Sequence, residues 1–285
     1  MLIVPADPLR PRLPDEHFAP EADAARAAGI EVALVDHDAL KRPDEAVRRV
    51  PAGEAVYRGW MIAASQYDGF ADALARRGTV LRTSAEQYRR AHELPGWYAD
   101  LTTVTPESAW TQGDERAAFD RARKALGEGP AVLRDYSKSM KHHWDEAAYI
   151  PDVADADAAW AIAHKFRELR DDDFAGGFVL RRFERFVSAE VRTWWVDGVC
   201  RLIGPHPDTP DSAVPEPDLS EIGPLIAGLG LPFVTADLVL RADGRWRVVE
   251  VGDGQVSDRP VAIAPEVLVS ALFGGPETTR TAPAR

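Results

Sequence analysis

The chain has 285 residues, 45% of them hydrophobic and 28% charged, which is ordinary for a water-soluble globular protein and enough for two or three compact units. Its formal net charge of −12 argues against a nucleic-acid surface, and no stretch approaches the ~20 apolar residues of a membrane span. The lone cysteine, Cys200, has no internal disulfide partner, so a reducing cytoplasm fits, with Cys200 read as a small strand hydrophobe.

The opening "LIV" at 2–4 reads as a short strand, too brief for a signal sequence. Residues 17–28 form an Ala-rich helix that Gly29 stops, and "IEVALVD" is the next strand. "EAVYRGW" is a third strand, "YDGFADALARRG" a helix closed by Gly78, and "TVLRTS" a fourth strand. Ser84 caps the helix "AEQYRRAHEL". Strand–helix alternation of this kind implies a small parallel sheet with crossover helices. No glycine-rich dinucleotide or P-loop motif follows any of these strands.

"TPESAW" reads as a capped helix start, followed by the helix "DERAAFDRARKALG". A strand over 131–136 then runs into a polar loop carrying Arg134, Lys138, Ser139 and Lys141, donors suited either to phosphate oxygens or to plain solvation. His142 and His143 are adjacent and lack a third ligand at metal spacing, so they read as surface residues. "DVADADAAWAIAHKFRELR" is an amphipathic helix, and a strand pair with an Asp197-Gly198 hairpin follows. On strand 190–196, Glu190, Arg192 and Trp194 share a face. "PHPDTPDSAVPEPD" is a Pro-rich loop, "LSEIGPLIAGLG" a short helix, and "APEVLVSALFG" the last helix before a loose tail, "GGPETTRTAPAR".

Between those two helices lies "TADLVLRADGRWRVVEVGDGQ", from Thr235 to Gln255. Asp243-Gly244 is a strong hairpin signal. Taken as a two-residue loop, it pairs Ala242 with Arg245 and sets Asp237 opposite Glu250. Like charges placed so, roughly 4.5–5.5 Å apart, oppose folding. A bound cation, a buried Arg or an exposed edge would each relieve the repulsion.

The order "YRGWM", "LRDYSKS", "AEVR", "TADLVL", "VVEVGDGQVS" resembles the ATP-grasp superfamily, and within it the clade with two arginines and a lysine in the site. The resemblance covers nearly the whole chain. It implies an α/β chain of the ATP-grasp fold: a Rossmann-like pre-ATP-grasp domain over 1–100, a small subdomain over 101–182, and a large, metal-bearing subdomain over 183–285. It also implies ATP and Mg²⁺ as cofactors, and activation of a small-molecule or peptide carboxylate as an acylphosphate that an amine then attacks. A non-catalytic ATP-binding relative and a kinase that stops at the phosphorylated product are the competing classes.

Carried over residue by residue, Arg134, Lys138 and Lys141 match the phosphate-binding segment, and the backbone at Arg182–Phe183, or the side chain of Glu184, matches the adenine or ribose site. Glu190 and Arg192 match the "E-x-R" pair, with Arg192, Arg134 and Lys138 as the groups acting on the transferred phosphoryl. Asp237 and Glu250 match the metal carboxylates. Two positions depart from the pattern: Arg134 stands where the clade has lysine, and Gly252 where it has a metal-binding Asn. Asp253 or Gln255 is then expected to supply an oxygen, or the second ion keeps more water. Arg58, in "YRGW", is expected to bind a substrate carboxylate, with a structural salt bridge as the alternative.

Overall fold

The computed structural model describes residues 1–274; the tail read as loose lies outside the described residues from position 275 on. The first unit alternates strand and helix: β1 (Leu2–Pro5), α1 (Ala19–Ala27), β2 (Val32–Val35), α2 (Pro43–Ala46), β3 (Gly53–Tyr57), α3 (Ala64–Arg76) and β4 (Thr79–Leu81). Its sheet runs β2-β1-β3-β4 with every pair parallel, as crossover helices require. Ser84 opens α4 (Ala85–His92) with a capping box: the Gln87 N–H donates to its hydroxyl, and its own N–H donates to the Gln87 side chain. A second helix, α5 (Leu94–Leu101), follows at once, with Pro95 in its first turn. Proline has no N–H to continue α4 but fits a helix start, so the chain breaks at Glu93 and begins again.

The middle unit comprises β5 (Ser108–Trp110), α6 (Arg116–Leu126), β6 (Ala131–Asp135), β7 (Tyr149–Ile150), α7 (Ala156–Arg170) and β8 (Phe178–Arg182), in an antiparallel sheet ordered β5-β8-β6-β7. Here one expectation fails. "TPESAW" is not a helix start: Ser108–Trp110 pair with β8, and the Thr105 hydroxyl that was to cap a helix donates instead to the carbonyl of Val248.

The last unit holds β9 (Val191–Val196), β10 (Val199–Pro205), α8 (Ile222–Gly228), β11 (Phe233–Leu240), β12 (Trp246–Asp253) and α9 (Pro265–Phe273), with an antiparallel sheet ordered β10-β9-β11-β12. Asp197 and Gly198 both take positive φ, 49° and 76°, the two-residue turn expected. Side chains alternate across this sheet. Val191, Trp195, Val234, Ala236, Leu238 and Val251 face α5 and α8. Trp194, Val196 and Phe233 face the other way, against Leu268 and Leu272 of α9 and Val56 of β3. Arg192 and Asp237 lie on this second face.

Candidate functional site

Asp237 does lie opposite Glu250, though not by the predicted route. The Arg241 N–H donates to Arg245 O, so the loop is residues 242–244, with Gly244 at φ 85°. Leu238 pairs with Val248, one place off the two-residue register, and the register shifts back between Leu238 and Asp237 because Val249 bulges. Loop and bulge cancel. The bulged carbonyl is not left bare: Arg181, on β8 of the neighbouring sheet, donates to Val249 O, to Val248 O at 3.0 Å and to the Thr105 hydroxyl. This cross-link joins the second and third sheets. Burial first, then the charge of Arg134, pushes the Arg181 guanidinium down to about 9.

The acids do not face each other uncompensated. Asp237, 3% exposed, accepts from Arg192 Nε and Nη2, each at 2.8 Å. Burial by itself would raise its pKa; the Arg192 charge and hydrogen bonds, helped by His206, outweigh this and hold the carboxyl well below the usual range. The Glu250 carboxylate lies 3.5 Å from Arg134 Nη1. Burial again acts upward on Glu250, while Arg134 and then Lys138 draw its pKa down against the charge of Asp237. The expected repulsion across the hairpin is therefore offset by the chain's own cations, the buried-Arg alternative.

Around this pair the site assembles from separate elements. Arg134 comes from the end of β6, Lys138 and Lys141 from the following loop, Glu190 and Arg192 from the start of β9, and Asp237 and Glu250 from β11 and β12. Lys141 Nζ lies 2.9 Å from Glu190 Oε1, and the Glu190 charge raises the lysine pKa against the opposing effect of burial. His206, past the end of β10, completes the group and was not foreseen: its Nε2 lies 2.7 Å from Arg192 Nη2 and 3.5 Å from Asp237 Oδ2. A histidine in a Pro-rich loop carries no sequence signal; only the pairing of Pro205 with Val191 brings it beside Glu190.

Three expected residues lie elsewhere. Arg58 is 1% exposed, and four of its five N–H groups are engaged: Nε and Nη2 bind the Glu21 carboxylate, and Nη1 binds the carbonyls of Gly254 and Ser257. Buried and paired with Glu21, it is withdrawn from any substrate carboxylate and pins the first sheet to the loop after β12. Asp253 is not with Asp237 and Glu250 either. Alternation along β12 sends it to the face opposite Glu250, where its side chain accepts from the Gln255 N–H beside Thr83. Burial pushes its carboxyl up to about 7, with those hydrogen bonds opposing. Gln255 is likewise buried, holding Tyr57 N–H and Tyr67 Oη.

The segment expected at the adenine is partly engaged. The Arg182 N–H donates to Glu107 O, the Phe183 N–H donates to Pro130 O, and the Arg182 side chain caps the end of α6 at Leu126 O and Glu128 O. Glu184 is bound by Arg247 at 2.9 Å. Phe183 packs against Tyr149, with ring centroids 5.5 Å apart, and Tyr149 stacks on the exposed Trp144. His142 and His143 sit in a surface turn, as expected.

Residues 125–272, just over half of the chain, match the ATP-grasp domain of the clade named for two arginines and a lysine, family 3 of that clade. The chain belongs to that family. Solved structures agree on the ATP-grasp fold over 95–96% of its length. A RimK domain ATP-grasp protein from Sphaerobacter thermophilus superposes with a TM-score of 0.63 at 17% identity, covering 96% of this chain and 100% of that one. D-cycloserine synthetase DcsG gives 0.59 at 19% identity, over 95% and 99% of the two chains. The ATP-grasp ligase PsnB, complexed with a minimal precursor, Mg and ADP, gives 0.58 at 15% identity, over 95% and 97%. No curated protein matches the chain. Among the described residues of this ATP-grasp protein, no helix is long and apolar enough to cross a membrane.

Proposed function

We propose that this ATP-grasp protein is an ATP-dependent carboxylate–amine ligase. One observation carries the reading: Arg134, Lys138, Lys141 and Arg192 converge on Glu190, Asp237 and Glu250 where the second and third sheets meet. Four cations around three carboxylates, one of them deeply buried, form a site for a polyanion held through a metal. Phosphoryl transfer needs such clamps more than it needs a protein nucleophile.

In this reading Arg134 and Lys138 hold phosphate oxygens, and Arg192 stabilises charge on the transferred γ-phosphoryl group. The substrate carboxylate attacks that group and becomes an acylphosphate; an amine then attacks the acyl carbon and phosphate leaves. The segment Phe183–Glu184, with the exposed Trp144 beside it, borders the adenine. Asp237 and Glu250 would hold Mg²⁺, which supplies neutralisation of phosphate oxygens when bound. Their donor set fits: two carboxylates from facing strands, with water free to complete the shell. DcsG is a synthetase of a small molecule, and PsnB is complexed with its precursor peptide. Either class of substrate suits a site open at Lys138 and Lys141.

Gly252 favours a second reading, a nucleotide binder without turnover. A Cβ at this position would meet the Thr235 hydroxyl at 3.2 Å and the Ser257 hydroxyl at 3.5 Å, so the clade's Asn side chain would crowd them. Phosphate release from Mg-ATP, measured with panels of carboxylic acids and amines and with product masses, separates the two. Acid- and amine-dependent release with a mass gain for condensation supports the ligase, and Arg192→Lys should then lower kcat strongly in a folded protein. Nucleotide binding with no release under any pair refutes it.

A further inference from the structure

Gly252 removes a ligand at the end of β12, and the space beside it is held by a hydrogen bond of 2.8 Å between the Thr235 and Ser257 hydroxyls. On the other side of Asp237 the chain offers one ligand the clade pattern does not contain, His206, beside two that it does. Glu190, His206 and Asp237 each present a ligand atom, all within 4.8 Å of one another. His206 Nε2 is 3.5 Å from Asp237 Oδ2 and 3.9 Å from Glu190 Oε2. Around an ion with bonds of about 2.0–2.2 Å, neighbouring ligand atoms are roughly 3.0–3.5 Å apart, so the two His206 edges need to close by less than about 1 Å and the Glu190–Asp237 edge by less than about 2 Å.

We propose that Glu190, His206 and Asp237 form a binding site for a first-row divalent transition ion. The inference rests on the ligase reading only through the shared Asp237. The choice of ion follows from donor chemistry. Mg²⁺ prefers oxygen ligands and water, whereas a neutral imidazole with two carboxylates suits Mn²⁺ and the later ions of its row. On the far side of the ring the Asp208 N–H donates to His206 Nδ1 at 3.1 Å, and the Asp208 carboxylate lies 3.6 Å from the same nitrogen. With Nε2 on a cation the ring proton moves to Nδ1, which then exchanges the Asp208 N–H for the Asp208 carboxylate, the kind of acceptor a ligating histidine usually has.

Two side-chain cations hold the same cage in this structure. Arg192 Nη2 bridges His206 Nε2 at 2.7 Å and Asp237 Oδ2 at 2.8 Å, and Lys141 holds Glu190 at 2.9 Å. A divalent ion would displace both. The guanidinium and ammonium thus released lie beside Lys138 and Arg134, where phosphate oxygens are expected. Entry of the ion and arming of the phosphate clamp are then one exchange, and Arg192 competes with the metal until it occurs.

Mn²⁺ titration of the full chain without nucleotide, followed by electron paramagnetic resonance, tests this. Wild-type protein should bind Mn²⁺, and the pulsed spectrum should show coupling to one imidazole nitrogen. His206→Gln should lose that coupling and bind Mn²⁺ about tenfold more weakly or worse. Arg192→Gln, which removes the competing cation, should bind Mn²⁺ more tightly while keeping the nitrogen signal. Bound Mn²⁺ without nitrogen coupling, or no binding in the absence of nucleotide, overturns the site, and the wild-type spectrum alone decides this should a variant fail to fold. ATP turnover with no nitrogen coupling sinks this site and leaves the ligase; nitrogen-coupled Mn²⁺ with no turnover does the reverse.

Discussion

Asp237→Asn isolates the central ion pair. The substitution keeps the shape of the side chain but removes the charge from a carboxylate that is 3% exposed and takes two hydrogen bonds of 2.8 Å from Arg192. Removing one partner of a buried pair costs about 3–5 kcal/mol, chiefly because the other charge is left buried. Two features place this case at the lower end, about 3 kcal/mol. The Asn oxygen still accepts one N–H, and Glu250 and Glu190 remain near the guanidinium. For a chain of 285 residues that corresponds to a fall in Tm of roughly 5 °C. Urea unfolding followed by tryptophan fluorescence, with calorimetry beside it, reads the loss directly.

The double variant Arg192→Met with Asp237→Asn should recover most of that loss, since replacing both charges is far cheaper than stranding one. The pH dependence has a fixed sign as well. A carboxyl whose folded pKa is depressed contributes stability that is complete above its unfolded value, about 3.9, and is lost as pH falls through the folded value. Wild-type protein should therefore lose more stability below about pH 4 than the variant does. Asp237→Asn within about 1 kcal/mol of wild type, or a double variant less stable than the single one, would refute a buried, energetically coupled pair.

Arg58→Ala should cost about 3–5 kcal/mol by stranding buried Glu21, with KM for the acid substrate unchanged wherever the variant folds; an unaltered melt with a raised KM would return Arg58 to the substrate site. Asp253→Asn should stabilise the protein at pH 8 by up to about 4 kcal/mol and flatten its pH dependence. A folded carboxyl raised to about 7 binds more protons than the unfolded one, so wild-type stability falls between about pH 4 and 7 and levels off above. Identical urea midpoints for variant and wild type at pH 5 and pH 8 would contradict this. Lys138→Ala should leave stability within about 0.5 kcal/mol, because the side chain is exposed, and still weaken ATP binding; Arg134→Ala should weaken it too. Unchanged nucleotide affinity by calorimetry in both would remove them from the phosphate site.

Local chemistry was legible from the sequence. Periodicity placed most helices and strands, Ser84 marked its capping box, and Asp197-Gly198 marked its hairpin, because each depends on residues within a few positions of one another. Motif order carried the family resemblance and named seven residues that the fold gathers: Arg134, Lys138, Lys141, Glu190, Arg192, Asp237 and Glu250. What each of them pairs with was not legible. Arg192 takes Asp237 from a strand 45 positions on, Arg58 takes Glu21 from 37 positions back, and Arg181 reaches a bulge 68 positions away. A charged side chain in sequence shows only that it needs a partner once buried; which partner it meets is set by the packing of one sheet on the next. The pairing of Asp237 with Glu250 shows the division most clearly. The alternation of apolar residues fixed the two strands, but the loop of residues 242–244 and the bulge at Val249 set the register together, and that bulge is stable where it is because Arg181, from another sheet, accommodates its carbonyl.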